Sequence, residues 1–470
     1  MIRSVGALRN VWKIPDLKRK ILYTLMILFV YRIGAHIPTP FVDRAQLAEF
    51  VDRQRTGLGA GLFQVMDLFS GKAFEQMSVF ALGIMPYISV SIILQLLTVV
   101  YPKLQKIQQE GALGQRKINR MTRQFTIALA LLQSFGLAVT LKAQGLTYFV
   151  GSYSWIFLFT TMIAMTTGTA FVMWLGERIT EQGIGNGISL IIAVGILAHY
   201  PSDLTQLITL MQSGALEWIW LIAIAVLFGI STMAIILIQD GTRRIPMQHA
   251  KRVVGRRVMS GGTNYLPLKV NTAGVIPVIF ASAILAFPTF LASLFSGGDE
   301  TGGVLGNLFR LESSYNLYNA ANMENWGGGF FNLFKSVNLH ILLFALLTGF
   351  FCYFYTAVAF NPDDVANNLK KSGSFIPGKR PGKPTSEYID YVLTRVTTVG
   401  AFFLVAIAVT PLVLQVSFNM PYQAMSFVGG TGLIIVVGVL LDTLKQIESQ
   451  LLMRHYEGFA MRRTSTAKWR

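Results

Sequence analysis

One cysteine and five histidines in 470 residues leave little from which to build a disulfide framework, a metal centre or a thiol–imidazole catalytic pair. Cys352 lies inside an apolar run, where a small packed side chain is its simplest role. Charge is scarce too: Asp, Glu, Lys and Arg make up 13% of the residues, about half the share of soluble domains. No G-x-x-x-x-G-K-[ST] phosphate loop and no H-E-x-x-H zinc pair occurs. The stretch Gly183-Ile-Gly-Asn-Gly187 is glycine-rich but follows no strand, and reads as a helix start or a packing site. Neither cofactor nor metal is expected, and no enzyme class finds its residues here.

Apolar sequence, by contrast, is abundant: 53% of residues are hydrophobic and the mean hydropathy is +0.51. It falls in ten runs, Ile21–Ile37, Val79–Val100, Phe125–Leu141, Ile156–Leu175, Ile184–Ala198, Trp218–Ile238, Ala273–Phe295, Leu339–Phe360, Val399–Val416 and Ser426–Leu441. Most reach roughly 17–23 residues, enough to cross about 30 Å of hydrocarbon as helix. The first begins after Lys18-Arg19-Lys20 and lacks a small-residue cleavage site, so it reads as a retained span and not a signal peptide.

The net charge of +17 is unevenly spread. Numbering the segments between runs from the N-terminus, 32 of the 40 Lys and Arg fall in 1–20, 101–123, 176–187, 239–272, 361–395 and 445–470, the odd-numbered ones. That alternation is the positive-inside pattern for ten helices with both termini cytoplasmic. The fold class expected is therefore an all-α polytopic membrane protein. Ionisable residues are sparse within the runs. Glu177, Arg178 and Asp442 stand near cytoplasmic ends, while Ser89, Ser91, Gln95, Gln133 and Ser282 are the deeper polar side chains. A charge at a helix centre costs about 2.5–3.5 kcal/mol, and ion-coupled transporters accept that cost to ligate their ion. The shortage of such groups counts against a secondary transporter of a small solute, the main rival reading; a membrane scaffold that only docks ribosomes is a third.

Residues 83–94 and 274–285 share G-x-x-P-x-I-x-x-S-x-I-L, in the second and seventh runs. Two proline-kinked apolar helices could match by chance. Equivalent placement in two sets of five instead suggests an inverted repeat, with a transport path at interrupted helices between the halves. The halves would span 21–200 and 216–444, with 1–20 and 445–470 as basic cytoplasmic ends. Segment 62–78 before the second run is amphipathic and too polar to span. On its residues alone it is equally a helix on the outer membrane surface or a re-entrant piece folded back into the protein.

Three cytoplasmic loops, Lys103–Arg123, Asp240–Asn271 and Pro362–Arg395, carry more charge than topology requires. The Gly/Pro-flanked tip around Arg380 suits a presented contact with ribosomal RNA phosphate or an acidic protein.

The runs Ala81-Leu-Gly-Ile-Met-Pro-Tyr-Ile-Ser89, Glu181-Gln-Gly-Ile-Gly-Asn-Gly-Ile-Ser189 and Asn271-Thr-Ala-Gly-Val-Ile-Pro277 closely resemble the SecY family. So do Arg243-Arg-Ile-Pro246, Ala250-Lys-Arg252, Phe360-Asn-Pro362, Arg380-Pro-Gly382 and Gly429-Gly-Thr431, in order along the chain. The resemblance implies a ten-helix clamshell of two inverted five-helix halves around an hourglass pore in the bacterial cytoplasmic membrane. The pore would pass unfolded secretory chains and release hydrophobic segments sideways into lipid. It implies a constriction ring at Ile84, Ile88, Ile188, Ile192, Ile279 and Ile435, with Ile434 as an alternative register. It makes segment 62–78 a plug, including Leu62, Phe63, Met66, Asp67, Leu68, Phe69, Ser70 and Gly71. A lateral gate falls on Ser89, Ser91, Gln95, Gln133, Ser282 and Phe287. Loop residues Arg243, Arg244, Lys251, Arg252, Lys379 and Arg380 would meet the SecA ATPase or the ribosome. SecE and SecG subunits, precursors with signal sequences and anionic lipids complete the implied partners. The outer loop 297–338 carries no motif that assigns it a role.

Overall fold

A computed structural model describes residues 14–43, 46–47, 67, 69–148, 154–214, 217–249, 252–254, 257–259, 263–295, 339–418 and 429–466. Helices occupy all ten apolar runs. They are α1 (Pro15–Gly34), α2 (Met85–Val100), α4 (Ala112–Ala143), α5 (Ser154–Gln182), α6 (Gly187–Leu197), α8 (Ile219–Asp240), α9 (Ile276–Phe295), α10 (Leu339–Ala359), α12 (Lys383–Phe418) and α13 (Gly430–Thr466). Between them lie α3 (Pro102–Gln109), α7 (Tyr200–Gln212) and α11 (Pro362–Lys371).

Not all ten meet a strict test for a membrane span. Among the described residues seven helical stretches are long and apolar enough, or eight if α2 and α3, bent by 99°, are one. The expected count of ten is not reached on that measure. The shortfall has local causes: α1 carries Lys18, Arg19, Lys20 and Arg32 within its twenty residues, and α9 counts as a short apolar helix over Ile276–Leu285.

The G-x-x-P echo has a structural counterpart. Gly83 and Gly274 both take left-handed φ, 53° and 65°, and α2 and α9 each begin two residues later with proline second in the helix. There the missing proline N–H would lack an intrahelical partner anyway, so proline is tolerated and fixes φ for the first turn. The first helical bonds fall at matching positions, Ile88 N–H to Ile84 O at 3.1 Å and Ile279 N–H to Val275 O at 3.3 Å.

The described residues form two compact units. One takes in residues 1–208, 282–313 and 439–470; the other takes in 209–281 and 314–438. In the first, α4 packs on α2 and α5, and α1 packs on α5 and α6. Its core includes Ala130, Leu137 and Leu141 of α4, Phe157 and Met165 of α5, and also Phe74, Met77, Ala81 and Leu82 from the stretch ahead of α2. In the second, α12 packs on α8, α10 and α11. Apolar side chains that remain exposed, such as Phe29 of α1 and Ile222, Val226 and Ile230 of α8, suit hydrocarbon contact.

Helix does not account for everything expected of the loops. The basic segment 101–123 is largely α3 and the first turns of α4. Segment 239–272 instead forms strands: β1 (Thr242–His249) pairs antiparallel with β4 (Thr263–Lys269), and β2 (Arg252–Val254) with β3 (Arg257–Met259). The small sheet lies between the apolar runs on which the all-α membrane class rested, and leaves that class as it stands.

The left-handed glycine start of α9 can be tested by stability. Gly274 has no atom within 4 Å of an added Cβ, so Gly274→Ala isolates the backbone term and should cost about 1–2 kcal/mol. Gly349, equally open but without left-handed φ and inside α10, should gain up to about 1 kcal/mol as Ala. Thermal unfolding in detergent reads the opposite signs.

Candidate functional site

The six isoleucines singled out in the sequence are carried by α2, α6, α9 and α13, with Ile84 immediately before the first turn of α2. Five are withdrawn from the surface, with Ile84 and Ile192 at 1% exposure, Ile88 and Ile279 at 5% and Ile435 at 0%. Ile434 is equally buried. Ile188 is half-buried, and its side chain lies against Gly176 of α5. Ile84, Ile88, Ile188 and Ile192 belong to the first unit, and Ile279 and Ile435 to the second.

How α6 starts explains why two of these residues are well fixed. The Asn186 side chain accepts from the N–H groups of Ile188 and Ser189, capping the helix. Around it, three N–H groups of the turn meet side chains from three different helices. Thr24 of α1 accepts from Ile184 at 3.1 Å, Gln446 of α13 from Gly185 at 2.9 Å, and Thr180 of α5 from Gly187 at 2.9 Å. Leu17 and Ile184 seal the place with Ile21, Ile447 and Leu451. The glycine-rich stretch is thus a helix start, as its residues suggested.

Segment 62–78 is described at Asp67 and from Phe69 onward; Leu62, Phe63, Met66 and Leu68 lie outside the described residues. Asp67, Phe69 and Ser70 are buried, at 8%, 1% and 0% exposure. The Asp67 carboxylate accepts from the Glu75 N–H at 3.0 Å and lies 3.7 Å from His199 Nδ1, while His199 Nε2 is 3.1 Å from the Asp67 carbonyl. Lys72 Nζ donates to Ser202 Oγ. Tyr31 and Arg32 of α1 donate to the carbonyls of Ser70 and Gly71. Its described part is held by α1 and by the α6–α7 region, with most of its side chains buried.

The polar residues expected at a lateral gate lie mainly on two packed helices. Ser89 and Gln133 are buried and Ser91 and Gln95 half-buried, on α2 and α4. Ser282 of α9 is also buried; the side chain of Phe287 lies outside the described residues.

The basic loops 239–272 and 361–395, separate in sequence, meet in space. Ser374–Phe375 (β5) pairs antiparallel with Gln248 and His249 of β1, giving a sheet of order β4-β1-β5. Ile245, Met247 and Leu268 of the first loop form one cluster with Ile376 and Ile389 of the second, and strand alternation leaves Arg244 exposed beside them. Beyond β5 the chain turns through Gly378 and Gly382. Lys379 and Arg380 are exposed at this tip, the Lys379 ammonium stands 5.4 Å from the Tyr388 ring centre, and Thr385 Oγ1 donates to the Arg380 carbonyl at 2.7 Å. Arg243 is exposed; Lys251 and the side chain of Arg252 lie outside the described residues.

Two features escaped the sequence reading. Strand pairing between residues more than a hundred positions apart leaves no local signal. Arg32 did leave one, a cation within an apolar run, but its place near the run's end hid it among loop charges. Among the described residues no group of three or more His, Cys, Asp or Glu could hold a metal ion.

Because Ile389 is fully buried between the two loops, Ile389→Ala should cost about 2–5 kcal/mol locally. Hydrogen exchange should accelerate in 242–249 and 374–380 together; acceleration in one alone would show that the loops fold independently.

Comparison with known proteins adds context to this geometry. The SecY family profile matches residues 78–444. The chain is 43% identical over 443 residues to the protein translocase subunit SecY of Escherichia coli strain K12, covering 94% of this chain and 93% of that one. It is 42% identical over 471 residues to the SecY translocase subunit of Chlamydia trachomatis serovar D, covering 97% and 98%. Among solved structures it is similar, with a TM-score of 0.59 and 18% identity over 92% of this chain and 91% of that chain, to one on the SecY plug domain, said there to stabilise the closed state of the translocation channel and maintain a membrane seal.

Proposed function

The chain belongs to the SecY family, and from that premise we propose how it works as the protein-conducting channel of a translocase. It is a multi-pass membrane protein that moves polypeptides, and no feature favours transport of a small solute. The observation that carries the reading is near-full-length identity with SecY translocase subunits, combined with buried isoleucines on two helices that start at matching Gly-x-x-Pro breaks.

Ile84, Ile88, Ile188, Ile192, Ile279 and Ile435 act as the constriction. Branched apolar side chains offer an arbitrary polypeptide no fixed ligand, and a constriction lined by them sheds water and resists ions. The segment around Asp67–Ser78 seals the channel at rest. Ser89, Ser91, Gln95, Gln133, Ser282 and Phe287 form the seam through which hydrophobic segments leave, since polar side chains weaken an apolar closure. SecE and SecG accompany the chain in a bacterial cytoplasmic membrane, with both termini on the cytoplasmic side and anionic lipid around its basic flanks. Energy comes from a partner, SecA or a translating ribosome, that binds the sheet-braced basic surface at Arg243, Arg244, Lys251, Arg252, Lys379 and Arg380. A guanidinium at a rigid tip pairs in a fork with phosphate or carboxylate.

Two experiments test this reading. Arg380→Glu should reduce precursor export into vesicles about a hundredfold with the protein still folded, because a like charge at a docking contact costs several kcal/mol; normal export would remove the loop from the mechanism. Ile88→Ser and Ile279→Ser should each raise resting ion conductance about tenfold or more, since a hydroxyl holds water where the ring should shed it. Unchanged conductance would exclude the ring.

A further inference from the structure

A cation within an apolar run is expensive in hydrocarbon, and where one occurs its partner points to its use. Arg32 stands in the last turn of α1, half-buried. Its Nη1 donates to the Gly71 carbonyl at 2.7 Å. The residue before it, Tyr31, is 1% exposed and donates its hydroxyl to the Ser70 carbonyl at 3.1 Å. Two neighbouring side chains therefore grip two neighbouring carbonyls. These follow a turn closed by Gly71 N–H on Asp67 O at 2.9 Å, at the point where regular helix stops supplying partners.

Gly71 is also constrained by α6. Gly71 is left-handed at φ 67°, and a Cβ built on it would stand 2.7 Å from the Gly195 Cα of α6. Backbone rests on backbone there. Since α6 also carries Ile188 and Ile192, Ser70–Gly71 is wedged between α1 and a helix bearing two ring residues. The grip itself is stiff: the Tyr31 ring is stacked on Phe80 at 6.1 Å and 4°. Two turns back along α1, Thr24 accepts from Ile184 just ahead of α6 at 3.1 Å. So α1 is tied to α6 near both of its ends, once directly and once through the base of the plug.

We propose that Tyr31 and Arg32 are positioning residues for the plug, clamping its base through main-chain carbonyls so that closure depends on the first span. The inference rests on the channel reading and on the plug role of segment 62–78. A clamp of this kind recognises the backbone, so its strength lies in α1 and not in the plug's own side chains.

The test uses the full chain with its co-purifying subunits in vesicles, reading resting chloride leak and hydrogen exchange of the 69–78 amides. Tyr31→Phe keeps the ring stack and removes one hydroxyl; Arg32→Gln removes the cation and Arg32→Lys keeps it. Tyr31→Phe with Arg32→Gln should raise the leak about tenfold or more, the shift expected from losing a charge-assisted hydrogen bond. It should also speed exchange at 69–78 while leaving α12 unchanged. Arg32→Lys should return both readings most of the way to wild type. Wild-type leak and exchange in the folded double variant would overturn the proposal, as would no recovery with lysine. If the double variant does not reach the membrane, Tyr31→Phe alone decides by the same exchange reading. Failure of the wild-type chain to move precursor into these vesicles would instead overturn the channel reading beneath it.

Discussion

Buried backbone has no water to bond, so wherever this chain interrupts a helix in its interior the protein itself must satisfy the freed groups. Four such breaks stand out among the described residues. They precede α2 at Gly83, α9 at Gly274 and α6 at Ile184–Gly187, and they occur at Ser70–Gly71. Each has partners: the Gly83 N–H donates to the Phe80 carbonyl at 2.7 Å, Asn271 Nδ2 donates to the Gly274 carbonyl at 2.9 Å, Thr24, Thr180 and Gln446 accept from the α6 turn, and Tyr31 and Arg32 donate to Ser70 and Gly71. The breaks bring helix starts into the interior, and the starts fix where the isoleucines stand.

This arrangement separates two demands. Polar side chains hold backbone at the breaks, while the residues proposed for the path are aliphatic. A passage for unrelated polypeptides needs that division, because a side chain able to hold its own helix start by a hydrogen bond could also bind the chain passing through. The basic loops follow the opposite rule. There the exposed tip at Lys379 and Arg380 is braced by a sheet and an apolar cluster shared by two loops, which suits a contact that must transmit force.

Much of this was legible beforehand. Ten apolar runs with alternating basic segments gave the membrane class, and every run contains a helix, although the strict count of spans among the described residues is seven or eight. The repeated G-x-x-P marked both interrupted helices because proline and left-handed glycine are chemical requirements of such a start. The residues alone left segment 62–78 divided between surface and interior; burial of Phe69, Ser70, Phe74 and Met77 places the described part inside. The β1–β5 pairing was unreadable because it joins segments more than a hundred residues apart, and α3 and the start of α4 lie in a basic segment whose charge marks topology and not helix. Arg32 was visible but was counted with the charges that orient the chain.

On the proposed channel reading, a translocating polypeptide passes Ile88 and Ile279. Photo-crosslinking with a probe at Ile88, and separately at Ile279, in vesicles holding an arrested precursor, tests it directly. The account predicts precursor adducts from both positions, appearing only after translocation starts. Adducts to lipid, or to neighbouring helices alone while precursor is demonstrably crossing, would contradict it.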